Sequence, residues 1–120
     1  MSPMLASLIL YTKAVDDMAA FYCDHFDYTR RDKPGDRIVE LRPKSQGTIL
    51  LLHPAAKGAR QGQAAVKLVF TVPDVAAFCE ARAAAGLDFG PLHTADGYVF
   101  ANAKDPSGNS VSVSGRLARE

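Results

Sequence analysis

A seven-residue stretch of this chain is written twice. Val15-Asp16-Asp17-Met18-Ala19-Ala20-Phe21 returns 57 residues later as Val72-Pro73-Asp74-Val75-Ala76-Ala77-Phe78. In a chain of 120 residues that separation is close to half the length. A repeat on that scale constrains the whole architecture, because it predicts two copies of one supersecondary unit rather than one irregular core. It also lets each position of interest be compared with its own copy.

Composition narrows the class. The length fits one compact domain, and 48% hydrophobic with 22% charged residues is ordinary for a globular chain. The 14 basic and 13 acidic residues nearly cancel. No basic run of about five or more occurs, so no nucleic-acid partner is expected. No apolar run of about eighteen occurs, so no membrane span is expected. Met1-Ser2-Pro3-Met4-Leu5 lacks a basic region followed by an apolar core, so a cytoplasmic protein without a signal peptide is expected. Cys23 and Cys79 each follow the repeated Ala-Ala-Phe, and no Cys-x-x-Cys spacing exists. They read as buried, reduced thiols.

Patterning divides each half into the same order of elements. Leu5 to Thr12 reads as an apolar strand, after which Asp16 or Asp17 caps a helix carrying Met18, Phe21 and Tyr22 at helical spacing. Strands are expected over Tyr28 to Arg31, Arg37 to Arg42 and Thr48 to His53, separated by Lys33-Pro34-Gly35-Asp36 and Ser45-Gln46-Gly47 turns. Pro54 to Gln63 has no periodicity and reads as the connection between halves. Val66 to Val72 is the next strand. Pro73 is expected in the first turn of the second helix, and Gly86 closes it. Strands over Leu87 to Phe89, Tyr98 to Ala103 and Ser110 to Ser114 complete the second half. Asp105-Pro106-Ser107-Gly108-Asn109 is hairpin-turn chemistry and by itself implies no activity. The expected class is α+β, with two tandem βαβββ repeats over residues 4–54 and 65–115 joined by a linker at 55–64.

Those two βαβββ repeats, the Asp-x-x-x-x-Phe-Tyr helix start from Asp17 to Tyr22, and Asp105-Pro106-Ser107-Gly108-Asn109 near the C-terminus resemble the vicinal oxygen chelate superfamily. It includes glyoxalase I, bleomycin- and fosfomycin-resistance proteins and extradiol dioxygenases. The resemblance implies curled mixed sheets that enclose a cavity and, in many members, a homodimer. It does not imply a substrate. In metal-using members the ligands come from the first and last strand of each repeat, from His-Val-x-Leu and Asp-Pro-x-Gly-Asn-x-x-Glu patterns. Ser7 and Lys67 stand at the histidine positions here, Ser112 at the glutamate position, and Leu51 at its copy in the first half. Hydroxyls without imidazole, thiolate or carboxylate company are poor ligands, leucine offers none, and lysine adds positive charge. No metal and no other cofactor is expected. A shifted register would instead bring in His53, two residues beyond Leu51 on the same strand face.

Strand alternation predicts the remaining lining. Leu8, Leu10, Leu50, Leu52, Leu68, Phe70, Val111 and Val113 should face the helices. Ser7, Ile9, Tyr11, Ile49, Leu51, His53, Lys67, Val69, Thr71, Ser110, Ser112 and Ser114 should face the concave side, a mixture of apolar walls and few polar groups that suits a small-molecule pocket. Ser110 and Ser114 are equally serines of an edge strand facing water, and that is the preferred reading for them. Lys67 is either a snorkelling surface residue or an inward one. Inward and charged, it would hold a carboxylate, enolate or phosphate; neutral, it would serve as a base. His53 is either a titrating proton donor and acceptor or a plain strand-end residue. Tyr11, Tyr98 and Phe100 are aromatic walls or packing. His93, in the Pro91-to-Gly97 segment, receives no role.

The leading expectation is metal-independent sequestration of a small anionic or aromatic molecule, similar to the bleomycin-resistance type, with Ser7, Tyr11, Leu51, His53, Lys67 and Ser112 as ligand-binding residues. The alternative is a glyoxalase- or dioxygenase-type enzyme, metal-dependent or using Lys67 and His53 as acid and base. A third reading is an interaction module whose cavity is filled by side chains such as Leu51, Tyr11 and Phe100.

Overall fold

A computed structural model describes residues 2–119. The chain forms two compact units divided between Gln61 and Gly62. Each contains one helix and one four-stranded mixed sheet, and neither sheet closes into a barrel.

The first unit runs β1 (Ser7–Thr12), α1 (Val15–Phe26), β2 (Tyr28–Arg31), β3 (Val39–Pro43) and β4 (Ile49–Pro54). Its strand order is β1-β4-β3-β2, with β1 parallel to β4 and the other pairs antiparallel. α1 packs on β2, β3 and β4. Met18, Ala19 and Tyr22 bury against that side of the sheet, which supplies Val39, Leu41, Leu50 and Leu52. Burial alternates along β4, as expected when one face of a sheet is covered and the other is not. Full burial of each aliphatic side chain contributes about 1.5–3 kcal/mol. The Tyr28 hydroxyl donates to the Thr48 carbonyl at 2.8 Å, which pins the start of β2 beside the start of β4.

The second unit runs β5 (Lys67–Thr71), α2 (Val75–Ala84), β6 (His93–Ala95), β7 (Tyr98–Lys104) and β8 (Ser110–Ser114), followed by a 3-10 turn over Leu117–Arg119. The order β5-β8-β7-β6 repeats that of the first unit, with β5 parallel to β8. α2 packs on β7, and Val75, Leu68, Leu87, Ala101, Val111 and Val113 form the core. The β7–β8 turn is built around Asp105. One carboxylate oxygen accepts from the Ser107 and Asn109 amides and the other from the Asn109 side chain, all at 2.9 Å. Gly108 sits at φ +85°, and an added Cβ would stand 3.3 Å from Gly62 Cα, so both conformation and close backbone approach demand glycine there.

Several expectations need correction. The repeated heptapeptide is not in structural register. Val15 and Val75 begin the two helices, and Ser7 and Lys67 the two first strands, an offset of 60 in both cases. The sequence match at 57 is therefore displaced by three residues, nearly one helical turn, a slip that roughly preserves the apolar face. Its consequence lies at the caps. Ala14 is the N-cap of α1 and makes no side-chain cap bond, so Asp16 and Asp17 fall inside the first turn. Asp74 caps α2 by accepting from the Ala77 amide at 3.0 Å, which places Pro73 before the helix rather than in its first turn.

Leu87 to Phe89 does not form a strand. Gly86, at φ +96°, turns the chain out of α2, Leu87 plugs the core, and Gly90 and Pro91 break any ladder before β6 begins at His93. β1 begins at Ser7 rather than Leu5, and β3 at Val39 rather than Arg37.

Asp74→Ala should lower stability by about 1 kcal/mol. Asp17→Ala, which removes no cap bond, should cost less than about 0.5 kcal/mol. Equal losses in denaturant unfolding would contradict the one-turn displacement.

Candidate functional site

In both units the helix covers one face of the sheet, and strand register decides what the other face presents. In the first unit Ile9, Leu51, Glu40 and Arg31 form one row across β1, β4, β3 and β2. Ser7 stands beside Ile49, and Tyr11 beside His53. Ile9 and Tyr11 are 47% and 59% exposed, an apolar wall on an edge strand. The Tyr11 and His53 rings lie 5.0 Å apart. His53 Nδ1 is 2.8 Å from the Pro54 carbonyl. A carbonyl only accepts, so Nδ1 is the donor, and in the neutral ring the lone pair falls on Nε2. Glu40 pairs with Arg42, two residues along the same face of β3. That hydrogen bond holds the Glu40 carboxyl below its usual range, with Arg42, Lys33 and Arg31 adding attraction.

The second unit carries different chemistry on the equivalent face. Its rows are Lys67, Ser110 and Lys104; Val69, Ser112 and Asn102; and Thr71, Ser114, Phe100 and His93. Lys67 is exposed, donates from Nζ to Asn102 Oδ1 at 3.0 Å and lies 5.8 Å from the Phe100 ring centre. Lys104 donates to Ser110 Oγ at 2.9 Å. Neither lysine has an ion-pair partner among the described residues. Ser112 is buried, and its hydroxyl donates to the Ala101 carbonyl at 2.9 Å.

Ser7, Tyr11, Leu51 and His53 thus share a face in the first unit, while Lys67 and Ser112 share one in the second. The expectation that Ser114 faces water from an edge strand is corrected. β8 lies between β5 and β7, Ser114 is buried, and its hydroxyl accepts from the Arg116 amide at 3.1 Å. His93, given no role from sequence, lies in β6 and stacks on Phe100 at 5.0 Å. Asn102 and Lys104 were missed as candidates. Period-2 alternation from Phe100 would have placed both on its face.

The metal implied by the wider superfamily does not fit these donors. The Ser112 hydroxyl is turned to a backbone carbonyl, Lys67 brings an ammonium, and Leu51 has no donor atom. Among the described residues no three His, Cys, Asp or Glu side chains gather. The thiols do not help, because burial raises the pKa of both Cys23 and Cys79 and keeps them protonated at neutral pH. A separate cavity of about 400 Å³ in the second unit, lined by Pro73, Val75, Leu92, Tyr98 and Val99 among others, lies by the start of α2. Its one carboxylate, Asp74, caps the helix.

A family model of the Glyoxalase/Bleomycin resistance protein/Dioxygenase superfamily matches residues 4–113. Among curated proteins none matches. Solved structures do. One is TnmS3, an antibiotic binding protein from Streptomyces sp. CB03234, with TM-score 0.77 and 19% identity over 93% of this chain and 94% of that one. UcmS2 superposes with TM-score 0.78 and 20% identity over 96% and 99% of the two chains. A lactoylglutathione lyase from Agrobacterium tumefaciens gives TM-score 0.73 and 24% identity over 98% and 97%. At these identities the likeness is one of fold.

Nitrogen NMR should find neutral His53 as the Nδ1–H tautomer. An Nε2–H ring would break the assigned bond to Pro54.

Proposed function

Because the chain belongs to the glyoxalase/bleomycin resistance protein/dioxygenase superfamily, we propose that it binds and sequesters a small organic molecule without a metal, on the helix-free faces of its sheets. The observation that carries this reading is the chemistry at Ser7, Leu51, Lys67 and Ser112. A hydroxyl bonded to the backbone, an ammonium and an aliphatic side chain are poor Lewis-acid ligands, yet Leu51 with Ile9 and Tyr11 on the first sheet, and Lys67 and Ser112 with Val69 and Phe100 on the second, give each face apolar walls and few polar groups. Sequestration needs only such a surface. Antibiotic binding by TnmS3 is a fact about that protein, and it supports testing aromatic antibiotics first. In this reading Ser7, Tyr11, Leu51, His53, Lys67 and Ser112 contact the ligand, the repeats occupy residues 4–54 and 65–115, and the segment 55–64 connects them.

The rival is an enzyme of the glyoxalase or dioxygenase kind. One observation favours it: His53 Nε2 is left able to take a proton. His53 is bonded to a carbonyl and Lys67 to an amide, so neither bond supplies a carboxylate that would complete an acid–base set. No helix among the described residues is long and apolar enough to cross a membrane.

Elemental mass spectrometry of protein grown with added Ni, Zn, Mn and Fe should find well under one metal per chain. Stoichiometric metal would overturn the reading and send attention to His53. Calorimetry against bleomycin and planar aromatic antibiotics should find a binder that Lys67→Ala weakens about tenfold, with the circular dichroism of the fold unchanged. Affinity untouched by that change would remove Lys67 from the site. A homodimer is proposed on the apolar side chains that edge strands β1 and β5 leave exposed, Ile9, Tyr11 and Val69. Light scattering should then give about twice the 12.9 kDa chain mass, and a monomer would refute it.

A further inference from the structure

Comparing the two sheets position by position isolates one asymmetry. β4 and β8 are equivalent last strands, and each pairs antiparallel with the strand before it. Leu51 faces Glu40 in the first unit, and Ser112, at the equivalent place, faces Asn102 in the second. Two residues along, Arg42 and Lys104 are likewise equivalent. The first unit therefore sets a carboxylate, Glu40, among its cations, hydrogen-bonded to Arg42 and paired across the ladder with Arg31. The second has a neutral amide where that carboxylate would stand. It also carries Lys67 where the first unit has Ser7.

The result is a row of Lys67, Ser110 and Lys104 across three adjacent strands, with a cation on each side of the serine. Strand spacing sets the two lysine backbones about 10 Å apart, and the long side chains lean inward. Lys67 reaches Asn102 and Lys104 reaches Ser110. No carboxylate lies on this face of β5, β6, β7 or β8. The acidic residue that follows Lys104, Asp105, turns its two oxygens to three donors of its own turn. Both ammonium groups thus rest on neutral acceptors, bonds weaker than the ion pairs an oxyanion would form with them. Beside them Phe100 presents its ring, with Lys67 Nζ over it and the His93 ring stacked on it at 5.0 Å.

We propose that this face of the second sheet is an oxyanion subsite for a planar aromatic ligand. Lys67 and Lys104 hold the anionic group above Ser110, and Phe100 with His93 receives the ring. The proposal deepens the small-molecule reading above and rests on it. It names the ligand class as an aryl compound bearing a phosphate, sulfonate or carboxylate.

The test is calorimetry on the full chain with 1-naphthyl phosphate, 1-naphthol and inorganic phosphate. Naphthyl phosphate should bind at least about tenfold more tightly than naphthol, and added salt should erode that preference. Lys104→Gln should reduce the preference several-fold and leave naphthol affinity unchanged, whereas Lys104→Arg should retain it. Lys67→Gln combined with Lys104→Gln should abolish it. Both lysines are exposed, so the fold should survive, and amide spectra of each variant verify that. Equal affinity for ester and alcohol, or a preference that survives in the double variant, would overturn the subsite and leave small-molecule binding standing. Neither aromatic probe binding would overturn the subsite and, with it, the small-molecule reading for this sheet. Inorganic phosphate binding as tightly as the ester would overturn the role of Phe100 and His93.

Discussion

The parallel pairing of the first strand of each unit with its last is the constraint on which everything else rests. Two parallel neighbours cannot be joined by a tight hairpin, so the chain must cross over one face of the sheet between them. Here the crossover contains the helix, and α1 and α2 each take that face for the core. The opposite face is then left without a helix, and its side chains are selected by register alone. A slip of one residue would exchange Leu50 and Leu52 for Leu51 and His53. That single exchange would move the apolar core outward and the candidate polar groups inward. Stability of the core and identity of the exposed groups are therefore one decision.

Register also explains which parts were legible before the fold was known. Burial on one side imposes a strict alternation, and Leu50 and Leu52 against Ile49, Leu51 and His53 could be read from letters alone. Turn chemistry was equally readable at Asp105 to Asn109, where each residue type has a local backbone role. Helix starts were harder. Asp17 and Asp74 sit in the same seven-residue motif, but one lies inside the first turn and the other caps. Composition near a helix start cannot distinguish positions a turn apart when both keep the apolar stripe. The Leu87 to Phe89 segment misled for a related reason. Its apolar letters serve one buried plug, not a ladder, and short apolar runs do not separate those uses.

The candidate site was harder still. Lys67 could be singled out as a charge in an apolar strand, but its partners come from β7, a distant part of the chain. Asn102 carries no signal of its own, and it becomes informative only when pairing sets it opposite Ser112 and aligned with Glu40. His93 likewise gains meaning from Phe100 across the ladder. Ser114 shows the converse. It looked like a wet edge residue until its strand took the interior of the sheet.

The hydrogen bond between Lys67 and Asn102 has an evolutionary side. Asparagine and aspartate codons differ by one base. A single nucleotide substitution would place a carboxylate beneath the ammonium and give the second half, like the first, one carboxylate beside two cations. The two halves of a duplicated fold can thus drift apart in electrostatic character by a step that alters neither size nor shape. The residue that sets how strongly positive this surface is, is then a neutral one.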